Sequence, residues 1–242
     1  MFRGENVVGI VPARGGSKRL PGKNIAVVAG KPLLGWTLDA SLSSSYIDKV
    51  VLTTDDPEIA QVGRTFKVDE IQDRPKSLAE DKTSTYQVVL HVLETLNKRK
   101  EHYGYFILLQ PTSPLRTSRH IDEAFELIDN LDGIGANSIC RTDYPIEWMG
   151  KVSEDGFLDS FIAQAELDRQ FWSLTPSYQI NGSIYILPVS KFIEEQSFYL
   201  KTDMVAYIMD RQDSIDVDDL HDLRLADYYL RLRHTASGLT ST

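Results

Sequence analysis

The sequence predicts an α/β fold, a mostly parallel sheet with helices on both faces, and three observations carry that prediction. Short apolar runs recur along the chain, longer amphipathic stretches separate them, and the runs are continuous rather than alternating. Continuous apolar runs mark strands buried on both faces, and strand–helix alternation makes a parallel sheet.

The elements follow in order. Val7–Ala13 is a first buried strand running into Arg14-Gly15-Gly16, and Pro32–Leu42 is a helix carrying Leu33, Leu34, Trp36, Leu38 and Ala40. Lys49–Thr54 is a second strand. Asp56-Pro57-Glu58 then opens a helix, with Asp as N-cap and Pro at the first helical position. A short strand is expected over Val68–Ile71. A helix over Thr83–Arg99 presents Val88, Val89, Val92, Leu93 and Leu96 on one side. Tyr105–Leu109, a polar loop over Gln110–Arg116, a helix over Ser118–Leu131 and a strand over Ile134–Arg141 complete the series. The rhythm then breaks. Residues 142–178 hold Trp148, Met149, Phe157, Phe161, Phe171 and Trp172, with a hairpin turn expected at Asp155-Gly156. Exposed aromatics of this kind cover a partner subunit, or else pack on their own domain. Ser183–Leu187, Met204–Met209 and a helix over Leu220–Arg233 rejoin the main unit. The expected organisation is a domain of residues 1–141 and 179–235, an inserted segment 142–178, and a flexible tail 236–242.

Composition excludes several classes. The 242 residues include 26 Lys and Arg against 35 Asp and Glu, a net charge of −9, which argues against a general nucleic-acid binder. The single cysteine, Cys140, rules out an intramolecular disulfide and reads as a small core residue. No apolar run approaches the ~20 residues that span a bilayer, and Val7–Val11 is too short for a signal-peptide core; a cytoplasmic protein is expected. His91, His102, His120, His221 and His234 form no pair at metal-ligand spacing.

Against that acidic background, residues 14–31 carry Arg14, Lys18, Arg19, Lys23 and Lys31 and no acid. Gly15 and Gly16 let consecutive N–H groups converge on an anion, and the cations add charge-assisted bonds to phosphate oxygens. The spacing is neither Walker A, since five residues separate Gly16 from Gly22-Lys23 and Asn24 follows, nor G-x-G-x-x-G. A phosphate-binding loop of another type is expected.

The stretch Ala13-Arg14-Gly15-Gly16-Ser17-Lys18-Arg19-Leu20-Pro21-Gly22-Lys23-Asn24 resembles the signature loop of sugar cytidylyltransferases, specifically the N-acylneuraminate cytidylyltransferase family. Thr53-Thr54-Asp55, Arg74-Pro75, Leu109–Arg116 (LQPTSPLR), Asn181-Gly182 and Asp213–Asp218 (DSIDVD) continue the resemblance in family order. It implies a Rossmann-like sheet of the nucleotidyltransferase type with a small inserted dimerisation subdomain. It further implies a Mg²⁺-dependent transfer of CMP from CTP to a nine-carbon 2-keto sugar acid, with Mn²⁺ as a substitute and a homodimer as the working unit. Neither nucleic acid nor membrane enters as a partner.

Residue by residue, the resemblance makes Arg14, Lys23, Asp216 and Asp218 catalytic. Ala13, Arg14, Gly15, Gly16, Ser17, Lys18, Lys23, Asn24, Arg74 and Thr85 would bind the nucleotide, the N–H groups of 15–17 aiding the cations. Lys18, like Arg19, could instead face solvent. Arg74 could instead make a structural ion pair, and Thr85 could only cap its helix. Gln110, Arg169, Gln179 and Asn181 would contact the sugar, Arg169 from a neighbouring subunit or else in an interface salt bridge. Asp216 and Asp218, two apart in an extended segment, face one side and suit Mg²⁺; Val217 points into the core and Asp219 caps the last helix. An acidic turn before that helix is the other reading of the pair. Gln179 stands where many sialic acid enzymes have Arg, and Glu147 where some have Lys, so N-acetylneuraminate, legionaminate and other acids all remain as substrates. A cytidylyltransferase for another sugar acid and a non-catalytic binder are the alternatives.

Overall fold

The computed structural model describes residues 1–156 and 175–239. Val7–Pro12 (β1) is buried on both faces: Val7 and Val11 join one apolar layer, Val8 and Ile10 the other. Around it, Lys49–Thr54 (β4), Glu70–Asp73 (β5), Tyr105–Leu108 (β6), Gly135–Arg141 (β7), Tyr178–Pro188 (β8) and Met204–Met209 (β9) build one sheet in the order β5-β4-β1-β6-β8-β7-β9. Val27–Val28 (β2) and Lys31–Pro32 (β3) form a separate small hairpin. Within the main sheet only β8 runs against its neighbours, pairing Phe106 with Leu187 on one side and Ala136 with Ile186 on the other. The mostly parallel expectation therefore holds.

Helices cover both faces. Leu33–Leu42 (α1), Pro57–Thr65 (α2) and Ser118–Asn130 (α4) bury Leu34, Leu38, Ile59, Ile121, Phe125 and Ile128 against one face. Thr85–Lys98 (α3) and Val189–Glu195 (α5) bury Val89, Val92, Leu93, Leu96 and Phe192 against the other. Leu220–Leu239 (α6) lies over a third cluster containing Val28, Leu33, Leu115 and Val217, which ties the acidic segment to the β2–β3 hairpin. None of the described helices is long and apolar enough to cross a membrane.

Local chemistry sets the helix starts. Asp56 accepts from the N–H groups of Glu58 and Ile59 at 2.8 and 3.2 Å, ahead of Pro57. Ser84, not Thr85, caps α3 in a reciprocal box with Gln87, an arrangement worth about 1 kcal/mol. Asp219 caps α6 as expected, accepting from His221 and Asp222.

Boundaries move at three places. The third strand is Glu70–Asp73 rather than Val68–Ile71, because Lys67 sits at φ +56° and the Val68 N–H still closes α2 on the Gly63 carbonyl. β8 begins at Tyr178, five residues before the apolar run Ser183–Leu187, and bends at Gly182, where φ is +74° and the pairing with β7 shifts. Helix α6 continues through 236–239 instead of ending at Arg233, since neither Gly nor Pro interrupts 221–237. A turn forms at the expected Asp155-Gly156, the Gly156 N–H donating to the Ser153 carbonyl. Phe157, Phe161, Phe171, Trp172 and Arg169 lie outside the described residues, as does the side chain of Glu147.

Candidate active site

A cavity of ≈270 Å³ opens where β1, β5 and β6 end. Loops leaving the C-terminal edge of parallel strands surround such a crevice, which is where open α/β sheets take ligands. Arg14, Ser17, Lys23 and Asn24 reach it from the loop after β1, Arg74 from the end of β5, Thr85 from the first turn of α3, and Gln110 from the end of β6. Ala13 is buried and extends the β1 ladder, its N–H donating to the Thr53 carbonyl at 3.1 Å.

The loop's cations are held by carboxylates. Arg14 lies 3.1 Å from Asp81 and donates to the Ala79 carbonyl at 3.3 Å. Lys18 lies 2.6 Å from Asp81, a bond that holds the Asp81 carboxyl below the usual range. Arg19 and Lys23 share Asp218 at 2.7 and 3.2 Å, and Lys23 also donates to the Val217 carbonyl at 2.7 Å. Lys18 and Arg19 are 77% and 71% exposed, so each faces solvent while pairing with a carboxylate. Asp55 and Asp81 were not singled out as site residues by sequence; the acidic pair directly after β4 was the available signal for Asp55.

Only part of the expected amide cradle is free. The Gly15 N–H donates to Asp55 at 3.1 Å and the Ser17 N–H turns back to the Gly15 carbonyl at 3.1 Å. Among the described residues the Gly16 N–H has no acceptor, and the space beside its Cα is open. Gly15 is a glycine for close approach: a Cβ there would stand 2.4 Å from an Asp56 carboxylate oxygen. Asn24 locks the loop by donating its amide to the Arg14 carbonyl at 2.9 Å.

Arg74 is buried, and its Nη2 donates to the Thr53 carbonyl at 2.7 Å while its Nε has no partner. Burial pulls its pKa down to about 10, with Asp55 opposing and Arg14 assisting. It remains a cation at neutral pH and makes no ion pair among the described residues.

The acidic segment meets the cavity through Lys23 and Gln110. Val217 is buried, as expected between the two carboxylates. Asp216 is pushed above the usual carboxylate range, chiefly by desolvation and also by the nearby Asp218, with the Thr112 hydroxyl and Lys23 opposing. A Cβ on Gly182 would stand 2.9 Å from Gln110 Oε1 and 3.9 Å from Asp216 Oδ2, so the missing side chain makes room for both groups. The donor set fits a hard divalent cation. Asp216 is exposed to solvent with its carboxyl held above the usual range, so a cation would favour its charged form, and Mg²⁺ characteristically takes one or two carboxylates plus phosphate and water.

The remaining sugar candidates are placed elsewhere. Asn181 is buried and internally satisfied: its Oδ1 accepts from Ser138 Oγ at 2.6 Å and from the Ser183 N–H at 3.2 Å, and its Nδ2 donates to Ser214 Oγ at 2.9 Å. Its geometry is that of a residue bracing the bend at Gly182, not of a free sugar contact. Gln179 is exposed on a second cavity of ≈310 Å³, shared with Arg141, Tyr144, Arg211 and the buried Cys140.

Residues 8–141 match the cytidylyltransferase family model, a span that ends where β7 ends. The chain is 34% identical over 223 residues to the N-acylneuraminate cytidylyltransferase of Escherichia coli O18:K1:H7, covering 91% of this chain and 51% of that protein. It is 32% identical over 230 residues to the CMP-N,N′-diacetyllegionaminic acid synthase of Legionella pneumophila subsp. pneumophila, covering 95% and 98%. It thus spans about half the length of the first relative and nearly all of the second. Among solved structures, CMP:2-keto-3-deoxy-manno-octonic acid synthetase complexed with CTP superposes with a TM-score of 0.66 at 18% identity, covering 94% of this chain and 99% of that one, a likeness of fold. By the family match over more than half its length and by these relatives, the chain belongs to the cytidylyltransferase family.

Proposed function

We propose that this protein transfers CMP from CTP to the anomeric hydroxyl of a nine-carbon 2-keto sugar acid. The anomeric oxygen bonds to the α-phosphorus, the bond from that phosphorus to the α–β bridging oxygen breaks, pyrophosphate leaves, and the hydroxyl proton is released. The observation that carries the reading is a loop of cations beside a cavity at the strand ends, in a chain of this family. In-line displacement asks the protein for alignment and for neutralisation of growing negative charge. Arg14 and Lys23 exchange Asp81 and Asp218 for triphosphate oxygens, and the free Gly16 N–H adds a neutral donor. Arg74, with Nε unpaired in the cavity wall, binds a polar group of the nucleotide, and Asn24 keeps the loop in register. Gln110 orients the sugar. Asp216 and Asp218 would hold Mg²⁺, with Mn²⁺ as a hard-oxygen substitute, and the metal supplies charge neutralisation at the triphosphate.

The working unit is a homodimer. Tyr144, Ile146, Met149, Val152 and Tyr178 within the inserted segment, and Ile180 just after it, are exposed apolar side chains, which supports an interface there, with Arg169 reaching the neighbouring sugar site. Light scattering at micromolar concentration should give twice the chain mass; a monomer would refute it.

Pyrophosphate release from CTP with Mg²⁺, across N-acetylneuraminate, N,N′-diacetyllegionaminate, pseudaminate and 3-deoxy-manno-octulosonate, tests the reaction. Release with a nine-carbon acid and none on chelation is expected. Silence with every acceptor, despite CTP binding, would replace the reading with a different sugar acceptor or with a binding protein.

A further inference from the structure

Arg116 is the largest fully buried side chain among the described residues, and none of their carboxylates accompanies it. Its Nη1 donates to the Ser183 carbonyl at 2.7 Å and to the Gln110 carbonyl at 3.3 Å, its Nη2 donates to Thr37 Oγ1 at 2.7 Å, and its Nε has no partner. A buried guanidinium normally carries a counter-charge, since an unpaired buried ion costs several kcal/mol of desolvation. A fold that keeps one on neutral acceptors keeps it for what those acceptors do.

The acceptors are informative. β6 and β8 pair from Tyr105↔Pro188 to Leu108↔Tyr185, and there the ladder ends. Gln110 and Ser183 lie two residues beyond that last pair on either side, just where the strands part to admit the cavity. Arg116 bridges their carbonyls in place of the missing ladder bonds. The Gln110 carbonyl also accepts from Thr37 Oγ1 at 3.3 Å and the Ser113 N–H at 3.4 Å, so donors from α1, the loop and Arg116 converge on one main-chain group. On the facing strand, Ser183 follows Gly182, whose open Cβ position seats Gln110 Oε1 beside Asp216.

We infer that Arg116 is a positioning residue for the sugar-acid acceptor: by holding the Gln110 and Ser183 carbonyls across the parting strands, it sets the Gln110 amide against Gly182 and next to Asp216. Its fork geometry is what the task needs, because two carbonyls on different strands and a hydroxyl on a helix must be met by one rigid planar group. The inference rests on the reading of Gln110 as the acceptor contact.

The test is a double-mutant cycle of Arg116→Met and Gln110→Ala, followed by steady-state kinetics with N-acetylneuraminate and N,N′-diacetyllegionaminate and by equilibrium CTP binding. For Arg116→Met the acceptor KM should rise between about 10- and 100-fold, the loss typical of a displaced orienting group, while the Kd for CTP stays unchanged. Arg116→Lys should recover part of that loss. In the double variant the effect should match the larger single effect rather than their product. If Arg116→Met does not fold, Thr37→Val removes the hydroxyl shared by Arg116 and Gln110 at constant shape and should raise the acceptor KM alone, by less. Equal weakening of CTP and acceptor, or multiplicative effects in the cycle, would overturn the assignment. An unchanged acceptor KM in Gln110→Ala would overturn the reading of Gln110 itself, and the role of Arg116 with it.

Discussion

Two sets of cations flank the cavity, and the protein treats them in opposite ways. In the loop after β1, Arg14, Lys18, Arg19 and Lys23 each meet a carboxylate, Asp81 or Asp218, that is itself 45% exposed. On the floor beneath Gln110, Arg116 is buried and, among the described residues, meets only carbonyls and a hydroxyl. Exposed ion pairs cost little to break, so the loop's positive charge can be handed to an incoming anion. Neutral dipoles on two strands cannot be exchanged without opening the sheet. The loop is built to change partners and the floor to keep them, which divides the site into a part that neutralises charge and a part that fixes geometry.

Removing the acid proposed to hold the metal beside the exchangeable loop should have the largest effect. Asp216→Ala is expected to reduce turnover to background while the urea midpoint stays near that of the parent, because the side chain is exposed and its charged form is held against desolvation. Turnover near the parental rate would remove the metal assignment. Lys23→Met comes next: kcat should fall by about 10²–10³, the usual loss when one charge-stabilising donor is deleted, again with little change in melting temperature. A large stability loss with modest kinetic change would put Lys23 on the structural side, as the bond to the Val217 carbonyl alone would suggest.

The difference between the two sets also explains what the sequence could show. Strands and helices were legible because apolar spacing is a local property, and β1, β4, α4, β7 and β9 lie within a residue or two of their expected bounds. The loop's cations were legible because a basic run stands out in an acidic chain. Their partners were not: Asp81 and Asp218 reach Arg14 and Lys23 across many residues, and pairing across such separations leaves no mark on spacing. Arg116 was visible only as part of the LQPTSPLR block, since an arginine in a polar loop gives no sign that it will be buried. Asn181 was visible as a pocket residue, yet its amide is consumed by Ser138, Ser183 and Ser214, groups the chain brings together only on folding.

A smaller effect separates two acids on one segment. Desolvation raises both Asp213 and Asp216, but at Asp213 the bonds from His120 and Arg233 prevail and hold its pKa below the usual value. A depressed folded pKa contributes stability that is fully present above the unfolded value of about 3.9 and is lost as pH falls through the folded one. Asp213→Asn should therefore cost about 2 kcal/mol near neutrality, the scale of a hydrogen bond to a charged group. Its stability should also fall less than the parent's as pH drops below 4, as urea midpoints between pH 3 and 7 would show. Parallel curves would mean that the His120 and Arg233 contacts contribute nothing.

The smallest effect bears most directly on whether the loop's carboxylates are placeholders. Asp81 lies on the cavity wall and holds Arg14 and Lys18, the groups a triphosphate would need. Two outcomes are physically distinct. If Asp81 competes with phosphate, Asp81→Asn frees both cations and CTP should bind a few-fold more tightly, the modest scale of an exposed ion pair, with the gain shrinking as salt rises. If Asp81 instead pins the segment 79–84 over a bound nucleotide, the same substitution should weaken CTP and leave the salt dependence unchanged. The exposure of the carboxylate and the chemical likeness of carboxylate and phosphate favour competition. Titration of CTP at low and moderate salt decides it, and tighter binding at low salt is the expected result.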